Sequence, residues 1–540
     1  MDKSKYIVTS ALPYAEAIPH IGNLVGSILP ADIFYRYIRF LKGEDAIFIC
    51  GSDQHGTPIE IQAYKKGVEP KELAYSMHNK MKELFERFNI AFSYYGYTDS
   101  EENKRTVYEI FDSLYKNGYI VETEIILPFC KYDNKVLSDR FVIGKCPYCG
   151  FDDARGDQCD NCGRLLTPDQ LIDPRCNICK RNDIEFIKSK NLAVNLTALQ
   201  DQIKDFIEAN KDHNWSKAAV NKSLSYIKEG LKPRDITRDI EWGFPVNLKG
   251  YESKRFYVWF DALIGYIGIT KQYLKERYVD YWKDRSTKLI QFMGKDNIEF
   301  HALLWPGILI GSKSGFILPY TIKSLEYLNI KGGKFSKSRG KGINIEQALD
   351  IMDSDYWRFI LAYIMPETAD SEISVEIIEE AVNSILNNKI GNLFYRVLSI
   401  AKRDSIKNLN IVIDDKAKEY IKRYEELMDK IEIREALRLV MELADITNSY
   451  INDKRIWDIR DKDKLIEILN ELLGRLYAIA VMLYPFIPSF SQYFLGVIGV
   501  DDLKIESIAN RAISIKLDSI KIPFSKLNQE QIDKLKERLE

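Results

Sequence analysis

Residues 6–23 read YIVTSALPYAEAIPHIGN, and this stretch decides the fold class. Tyr6 to Ser10 is apolar and β-branched, which predicts a strand, and residues 19–22 predict a turn. The apolar run from Leu24 to Leu41 predicts a long helix, and Ala46 to Cys50 predicts a second strand. A strand, a helix and a strand in this order form a βαβ unit, so we expect an α/β fold with a doubly wound parallel sheet.

The later chain completes this organisation. Strand-like runs return at Arg255 to Trp259 and at Leu289 to Met293, and the second is followed by an apolar helix candidate, Phe300 to Ile310. Between Pro366 and Pro485 there is no proline, and apolar residues recur with helical spacing, which predicts an antiparallel helix bundle. We therefore predict four segments: the first half of the sheet domain (1–118), an inserted domain with cysteine pairs (119–233), the second half of the sheet domain (234–370), and a helical bundle with a C-terminal tail (371–540).

Composition excludes several classes of protein. The 540 residues are enough for about three domains, and 46% apolar with 29% charged residues is typical of a globular chain. A net charge of -2 means that any nucleic-acid contact uses a local basic surface. The N-terminal stretch forms no signal-peptide core, and the longest apolar run, Leu476 to Pro488, is too short to span a membrane. We expect a cytoplasmic protein with reduced thiols and no membrane segment.

The turn at residues 19–23, PHIGN, lies where the first strand gives way to the helix. Ligands of open α/β sheets bind at this position, and helix N-termini favour anions. Gly22 lets a nucleotide approach the backbone, while His20 and Asn23 add hydrogen-bond donors. The alternative interpretation is an ordinary turn with a helix cap.

A second motif, KGGKFSKSRGK at residues 331–341, places five cations in eleven residues. Lysines are flexible point charges, suited to following a triphosphate whose charge redistributes during attack at phosphorus. The alternative is a solvated basic loop.

Together the two motifs resemble the ATP-binding motifs of class I aminoacyl-tRNA synthetases, with Asn23 in place of a final His and Phe335 in place of the usual Met. The stretches ALPYA, GSDQHGTPIE, FYVWFDALIGYIG, GKDNIEFH and RFVIGKCPYC are similar to methionyl-tRNA synthetases of the archaeal and eukaryotic-like type. The resemblance runs over nearly the whole chain. It implies a Rossmann-type catalytic domain, ATP and Mg²⁺ as requirements, and L-methionine and tRNA(Met) as substrates.

The resemblance also implies roles for individual residues. The catalytic set would be His20, Asn23, Lys334, Lys337 and Arg238, with Arg238 supporting the cationic loop. ATP would contact His20, Gly22, Asn23, Gly294, Asp296 and Lys337. The methionine pocket would comprise Leu12, Tyr14, Asp53, Trp259, Ala262, Tyr266 and His301, with Asp53 holding the α-ammonium. A thioether accepts only weak hydrogen bonds, so its recognition depends on aromatic walls and sulfur–aromatic contacts. Leu263 and Asn297 depart from the bacterial pattern and leave the shape of the pocket open.

Seven of the eight cysteines lie between Cys130 and Cys179. Two Cys-x-x-Cys knuckles, Cys146 with Cys149 and Cys159 with Cys162, predict a closed, structural zinc site. A third knuckle, Cys176 with Cys179, finds partners of matching spacing only in Cys130 and Asp133, so a second zinc site is either Cys₃Asp or lost. Cys50 is expected in the core.

In the helical region, Asn388, Asn392 and Arg396 are spaced four apart and share one helix face. Trp457 offers a surface on which an unpaired base can stack. By resemblance these four residues form an anticodon reader; the alternative is a polar helix face with a packing tryptophan.

We interpret the chain as a methionine–tRNA ligase that serves initiation and elongation. Two alternatives stay open. One is a synthetase for another apolar amino acid, and the other is a zinc-ribbon RNA-binding factor that has kept the fold and lost catalysis. No appended tRNA-binding module follows the bundle, so a separate tRNA-binding protein is a possible partner.

Overall fold

The protein is described here from a computed structural model, which covers residues 3–137, 141–156, 159, 161–162, 164, 166–330, 342–500, 502–504 and 511–540. Its centre is a five-stranded sheet in which every neighbouring pair of strands is parallel. Side by side, the strands are Pro319–Leu325, Lys288–Gly294, Lys5–Ser10, Asp45–Ser52 and Tyr94–Tyr97. The predicted α/β class with a parallel sheet is confirmed.

The strand order creates a topological switch point. From the central strand Lys5–Ser10 the chain goes to Asp45–Ser52 on one side and returns much later to Lys288–Gly294 on the other. Where strand order reverses, a crevice opens beyond the carboxyl ends of the strands. That crevice is where the PHIGN turn lies.

The predicted first helix is a continuous helical run over residues 21–41. It contains two wider π-helical turns, Leu24–Ile28 and Tyr37–Leu41, around the α-helical segments Ile21–Asn23 and Leu29–Arg36. Pro30 has no backbone N–H to donate, and the wider turn directly before it accommodates the missing hydrogen bond.

The strand predicted at Arg255 to Trp259 is wrong for most of its length. Only Arg255–Phe256 is a strand, and it pairs with Thr237–Arg238 outside the main sheet. From Val258 the chain forms the helix Val258–Leu274, whose residues are nearly all buried. A helix buried over most of its surface shows little amphipathic period, and its β-branched and aromatic start favours a strand.

The other helices of the sheet half follow the strands. They are Thr57–Lys66, Pro70–Arg87, Glu101–Lys116, Lys275–Tyr278 (3₁₀), Val279–Trp282, Phe300–Leu304 (π) and Trp305–Ser312. The last two form the helix predicted at Phe300 to Ile310, after the strand Lys288–Gly294.

The insertion is built on a long antiparallel pair, Ile120–Cys130 with Ile184–Val194. A small antiparallel sheet lies beyond the tip of this pair and consists of Val142–Lys145, Ala154–Arg155 and Ile172–Cys176. The cysteine clusters lie around this sheet, and Cys130 joins them from the last position of its strand in the long pair. The helices Leu196–Asn210 and Lys217–Glu229 return the chain towards the main sheet.

The C-terminal part is helical, as predicted. Its helices are Ile345–Ile351, Ser354–Tyr363, Val375–Glu379, Glu380–Gly391 (π), Asn392–Arg403, Asp415–Asp429, Ile433–Lys454, Lys462–Leu483, Pro488–Ile498 and Gln529–Leu539. Their apolar faces are continuous with the core on one face of the main sheet. The boundaries predicted at residues 118, 233 and 370 stay predictions.

Candidate active site

The PHIGN turn closes on itself through a reciprocal helix cap. The Asn23 backbone N–H donates to His20 Nδ1 (3.1 Å), and the His20 backbone N–H donates to Asn23 Oδ1 (3.2 Å). The cap interpretation of this turn is therefore correct. It does not compete with the binding interpretation, because a capped helix start is a rigid one.

The chain that leaves the cationic segment 331–341 joins this same turn. His20 forms an antiparallel bridge with Asn344, and the Ile21 N–H donates to the Ile343 carbonyl (3.0 Å). Ile343 and Asn344, which follow the cationic segment in the chain, therefore lie beside the PHIGN turn. Lys334 and Lys337 themselves lie outside the described residues.

A cavity of about 550 Å³ opens between this turn and the end of strand Lys288–Gly294. Its size is typical of a small-ligand site. Of the predicted residues, it is lined by Leu12, Tyr14, His20, Gly22, Asn23, Trp259, Gly294 and Asp296. Three of the residues predicted for the amino acid thus share one cavity with residues predicted for the nucleotide. The other four do not line it: Asp53, Ala262, Tyr266 and His301.

The nucleotide side has a rim that sequence reasoning missed. The Tyr327 hydroxyl donates to Asp296, and both residues line the cavity. Lys295 lies over the Tyr327 ring and pairs with Glu326 and Asp370, each at 2.7 Å. Tyr327 is 31 residues from Asp296 in the chain, so no local pattern links them.

Trp259, Ala262 and Tyr266 lie on one face of the helix Val258–Leu274, because they are spaced by three and then four residues. The Trp259 ring meets Tyr14 edge-on, with 6.5 Å between ring centroids. On its other side it stacks on Phe300 at 3.7 Å. Phe300 was not predicted; its only signal was its place directly before His301.

Tyr266 and His301 form a buried pair, with 2.8 Å between the Tyr266 hydroxyl and His301 Nε2. His301 Nδ1 lies 3.0 Å from the Asn297 carbonyl, which can only accept. Burial lowers the pKa of His301 to about 4, so the ring is neutral. We therefore assign the proton to Nδ1, and the Tyr266 hydroxyl donates to Nε2.

Asp53 is held beside Tyr14 by backbone hydrogen bonds. The Asp53 N–H donates to the Pro13 carbonyl (2.9 Å), and the Ala15 N–H donates to the Asp53 carbonyl (2.8 Å). The side chain is buried, and burial together with the neighbouring charge of Asp261 raises the pKa of its carboxyl well above the usual range. A cation brought next to Asp53 would lower that pKa again.

Arg238 does not line the cavity. Its guanidinium donates to Asp235 (3.1 Å) and to the Thr237 carbonyl (3.0 Å), and it lies 4.3 Å from the centroid of the Tyr257 ring. Its predicted role in supporting the cationic loop stays a prediction.

The first cysteine cluster brings four Sγ atoms within 4.8 Å of one another: Cys146, Cys149, Cys159 and Cys162. Two of the Sγ separations are 3.6 and 3.9 Å. Four sulfurs around a zinc with bonds of about 2.3 Å lie about 3.8 Å apart, so this donor set fits a tetrahedral ion.

The second cluster joins Cys130, Asp133, Cys176 and Cys179, also within 4.8 Å. Asp133 Oδ2 lies 3.2 Å from Cys130 Sγ and 3.1 Å from Cys176 Sγ. Asp133 thus occupies the fourth corner of the cluster, and the Cys₃Asp donor set fits a metal as well.

Comparison with known proteins identifies the family. The family model for class I tRNA synthetases (M) matches residues 6–398. The methionine–tRNA ligase of Pyrobaculum islandicum is 40% identical over 559 residues, covering 99% of this chain and 97% of the relative. That of Sulfurisphaera tokodaii is 40% identical over 557 residues, covering 98% and 97%. The chain belongs to the class I methionyl-tRNA synthetases.

The likeness extends to solved structures. Mycobacterium tuberculosis methionyl-tRNA synthetase bound by methionyl-adenylate superimposes with a TM-score of 0.78 at 21% identity, covering 96% of this chain and 100% of the other. At that identity the comparison establishes a common fold.

Among the described residues, no helix has the length and apolar character to cross a bilayer.

In the helical region, the structure brings Arg396 and Trp457 together, with the guanidinium 5.5 Å from the centroid of the indole. Arg396 also donates to Asn452 (2.9 Å). Trp457 is 38% exposed and lies in the turn after the helix Ile433–Lys454. Asn388 is exposed on the same helical run as Arg396. Asn392 lies between them and is half-buried. In this synthetase the four predicted residues are thus accessible, and two of them are adjacent.

Proposed function

We propose that the protein activates L-methionine with ATP and transfers the methionyl group to tRNA(Met), for both initiation and elongation. The observation that carries this proposal is the shared cavity, where the capped PHIGN turn and Gly294 meet Tyr14 and Trp259. A nucleotide and an amino acid bound in one cavity bring a carboxylate and an α-phosphate together, which supplies proximity and orientation.

In the first step the methionine carboxylate attacks the α-phosphate of ATP, and methionyl-adenylate and pyrophosphate form. His20 and Asn23 lie at the positive end of a helix and would stabilise charge that develops on the phosphate oxygens. Lys334 and Lys337 would follow the β- and γ-phosphates. Mg²⁺ bound to ATP supplies further positive charge. A hydroxyl of the 3′-terminal adenosine then attacks the carbonyl carbon of the adenylate: the ester bond to tRNA forms, the bond to the α-phosphate oxygen breaks, and AMP and the hydroxyl proton leave.

For the amino acid, Asp53 would hold the α-ammonium and Trp259 and Tyr14 would enclose the side chain. The Tyr266 hydroxyl already donates to His301, so the pair presents no strong spare donor to the side chain. Such a wall suits a thioether better than a side chain with a hydroxyl or amide, which would lose hydrogen bonds to water.

The two cysteine clusters would each hold a structural zinc ion. All four donors in each cluster come from the protein, so a bound ion would stabilise the insertion rather than take part in the reaction. Asn388, Asn392, Arg396 and Trp457 would read the anticodon of tRNA(Met). A separate tRNA-binding protein stays a possible partner.

Amino-acid-dependent ATP–pyrophosphate exchange, run with each of the twenty amino acids, tests the proposal. We expect exchange with methionine and at least a hundredfold less with the others. Exchange with a different apolar amino acid instead of methionine would show that the protein is a synthetase for that amino acid. Absence of exchange with all twenty amino acids would point to an RNA-binding factor without catalysis.

A further inference from the structure

A buried histidine lies beside the proposed ammonium site. His55 follows Asp53 by two residues, and its ring Nδ1 is in hydrogen-bond contact with Asp261 of the helix Val258–Leu274. Its Nε2 lies 3.4 Å from Asp99, and its backbone N–H points at Asp53 Oδ1 at 3.5 Å. His55 therefore has a carboxylate at each ring nitrogen and a third carboxylate next to its backbone.

This cluster is removed from water. His55 is 1% exposed, Asp53 3% and Asp261 fully buried, and the rings of Trp242 and Phe244 pack edge-on against the imidazole. Asp261 Oδ1 has no hydrogen-bond partner. A buried carboxylate with one bare oxygen needs a compensating charge next to it.

His55 supplies that charge. Burial alone would lower the pKa of His55, but the charges and hydrogen bonds of Asp261 and Asp99 outweigh it and raise the pKa to about 10. Both ring nitrogens face acceptors, which only the imidazolium can satisfy with two N–H groups. At neutral pH His55 is positive.

The charge of Asp261 bears directly on Asp53. Its negative charge raises the pKa of Asp53, whereas the charge of His55 lowers it. Without His55, two buried carboxylates would share the site, and one of them would hold a proton. Protonated Asp53 could no longer pair with an ammonium group.

We propose that His55 is a positioning residue for amino-acid binding: as an imidazolium it offsets the charge of Asp261, so that Asp53 can give up its proton and pair with the α-ammonium of the substrate. This inference rests on the proposed function and assigns a role to a residue outside the cavity lining.

The other titratable groups around the cluster do not replace His55. Tyr14 and Tyr266 face Asp53, and burial raises the pKa of both hydroxyls, so they stay neutral. Lys71 and Lys104 act on Asp99, at the outer side of the cluster. Among the described groups that act on Asp53, His55 is the one that brings positive charge.

The test uses His55→Asn, Asp261→Asn and the double variant in methionine-dependent pyrophosphate exchange. For His55→Asn we expect the KM for methionine to rise about tenfold or more, with a small change in kcat and in the KM for ATP. The acidic limb of kcat/KM for methionine should move upward by about one pH unit or more. In the double variant the buried charge and its partner are both gone, so KM and the acidic limb should return to within about threefold and half a unit of the wild type.

Glu101→Gln is the matched control, because it removes an exposed carboxylate at the start of the neighbouring helix Glu101–Lys116, which pairs with Lys104 and not with His55. It should leave the KM for methionine unchanged. If His55 only packs against Trp242 and Phe244, the double variant will be as impaired as His55→Asn or worse, and the proposal is overturned.

A second readout compares inhibition by L-methioninol, which has the ammonium group, with inhibition by 4-(methylthio)butanoate, which lacks it. Only methioninol should bind less well to His55→Asn, and an equal loss for both overturns the role.

Should these variants fail to fold, the wild-type protein decides the matter. At neutral pH the ¹⁵N NMR shifts of both His55 ring nitrogens should be those of an imidazolium, and the shifts of a neutral ring would overturn the proposal. Failure of the wild type to exchange with methionine would instead refute the proposed function, so the two failures are distinguishable.

Discussion

At the scale of single residues, the active site depends on protonation states that burial and near neighbours set. His301 and His55 are both buried, yet burial makes the first neutral while two carboxylates make the second a cation. The neutral ring accepts a hydrogen bond from Tyr266, and the charged ring compensates Asp261. Two buried histidines thus differ in charge because their hydrogen-bond partners differ.

The raised pKa of His55 predicts how stability depends on pH. The folded protein binds this proton more tightly than the unfolded chain. The contribution of His55 to the free energy of unfolding is therefore fully present below about pH 6.5 and is lost as pH rises through about 10. The slope is at most about 1.4 kcal/mol per pH unit from this group. Thermal melts at intervals between pH 6.5 and 10 should show the decline. The double variant of His55 and Asp261 should lack this decline. If the melting temperatures of the wild type and the double variant depend on pH in the same way, the assignment of the decline to His55 is contradicted.

Lys337 belongs to the cationic segment, outside the described residues, and its prediction follows from charge alone. If it stabilises the transition state more than bound ATP, Lys337→Ala should lower the pyrophosphate exchange rate by about a hundredfold or more, with a much smaller change in the KM for ATP. Lys341→Ala removes the last charge of the same segment and serves as the control. An exchange rate that does not change would remove Lys337 from the reaction.

At the scale of elements, the insertion owes its form to its cysteine clusters. The small sheet of Val142–Lys145 and its neighbours is short, and its buried cluster consists largely of the cysteines and a few apolar residues. So small a core gains little stability from burial alone, and metal ions held by the two clusters would supply the missing cross-links.

Cys159→Ser tests this element. Loss of a zinc ligand should unfold the tip of the insertion, seen as faster proteolysis there, and should lower the zinc content by one ion per chain. Asp133→Ala is the companion variant for the second cluster. A zinc content near two in the wild type would establish both sites, and metal-free protein with full activity would refute both.

At the scale of the whole molecule, the helical region is joined to the sheet domain by a buried ion pair. Arg358, which is fully buried, donates to Asp32 (2.6 Å) on the first helical run. It also donates to the carbonyls of Pro485 (2.7 Å) and Phe486 (2.8 Å), where two helices of the C-terminal region meet. The two regions are thus connected by an ordered contact rather than by a linker alone.

Substitution of Trp457 tests whether tRNA recognition depends on the helical region and adenylate formation on the sheet domain. The ring is 38% exposed, so its truncation leaves no large core cavity. Base stacking on an aromatic ring contributes about 1–3 kcal/mol, so Trp457→Ala should reduce kcat/KM for tRNA by about five- to a hundredfold or somewhat more. Pyrophosphate exchange should barely change.

Tyr115→Ala, which removes an exposed aromatic from the sheet domain, is the matched control and should affect neither assay. Thermal melting confirms that both variants are folded. Equal losses in exchange and in charging, or normal charging by the folded Trp457 variant, would remove Trp457 from the anticodon site.

The sequence by itself determined the features that depend on local order. The βαβ start, the parallel sheet, the PHIGN turn and the first cysteine cluster follow from residue spacing within short stretches. For the second cluster, spacing only made Asp133 a candidate, and the structure showed that Asp133 meets Cys176, 43 residues away.

Only the tertiary structure decided the contacts between distant segments. His55 and Asp261 are separated by 206 residues, and Tyr327 meets Asp296 from a different loop. The segment from Val258 became a helix because packing on all sides overrode its strand-like composition. In each case the deciding free energy comes from burial against residues remote in the chain, and a buried charge acquires its protonation state only once its neighbours have been brought to it.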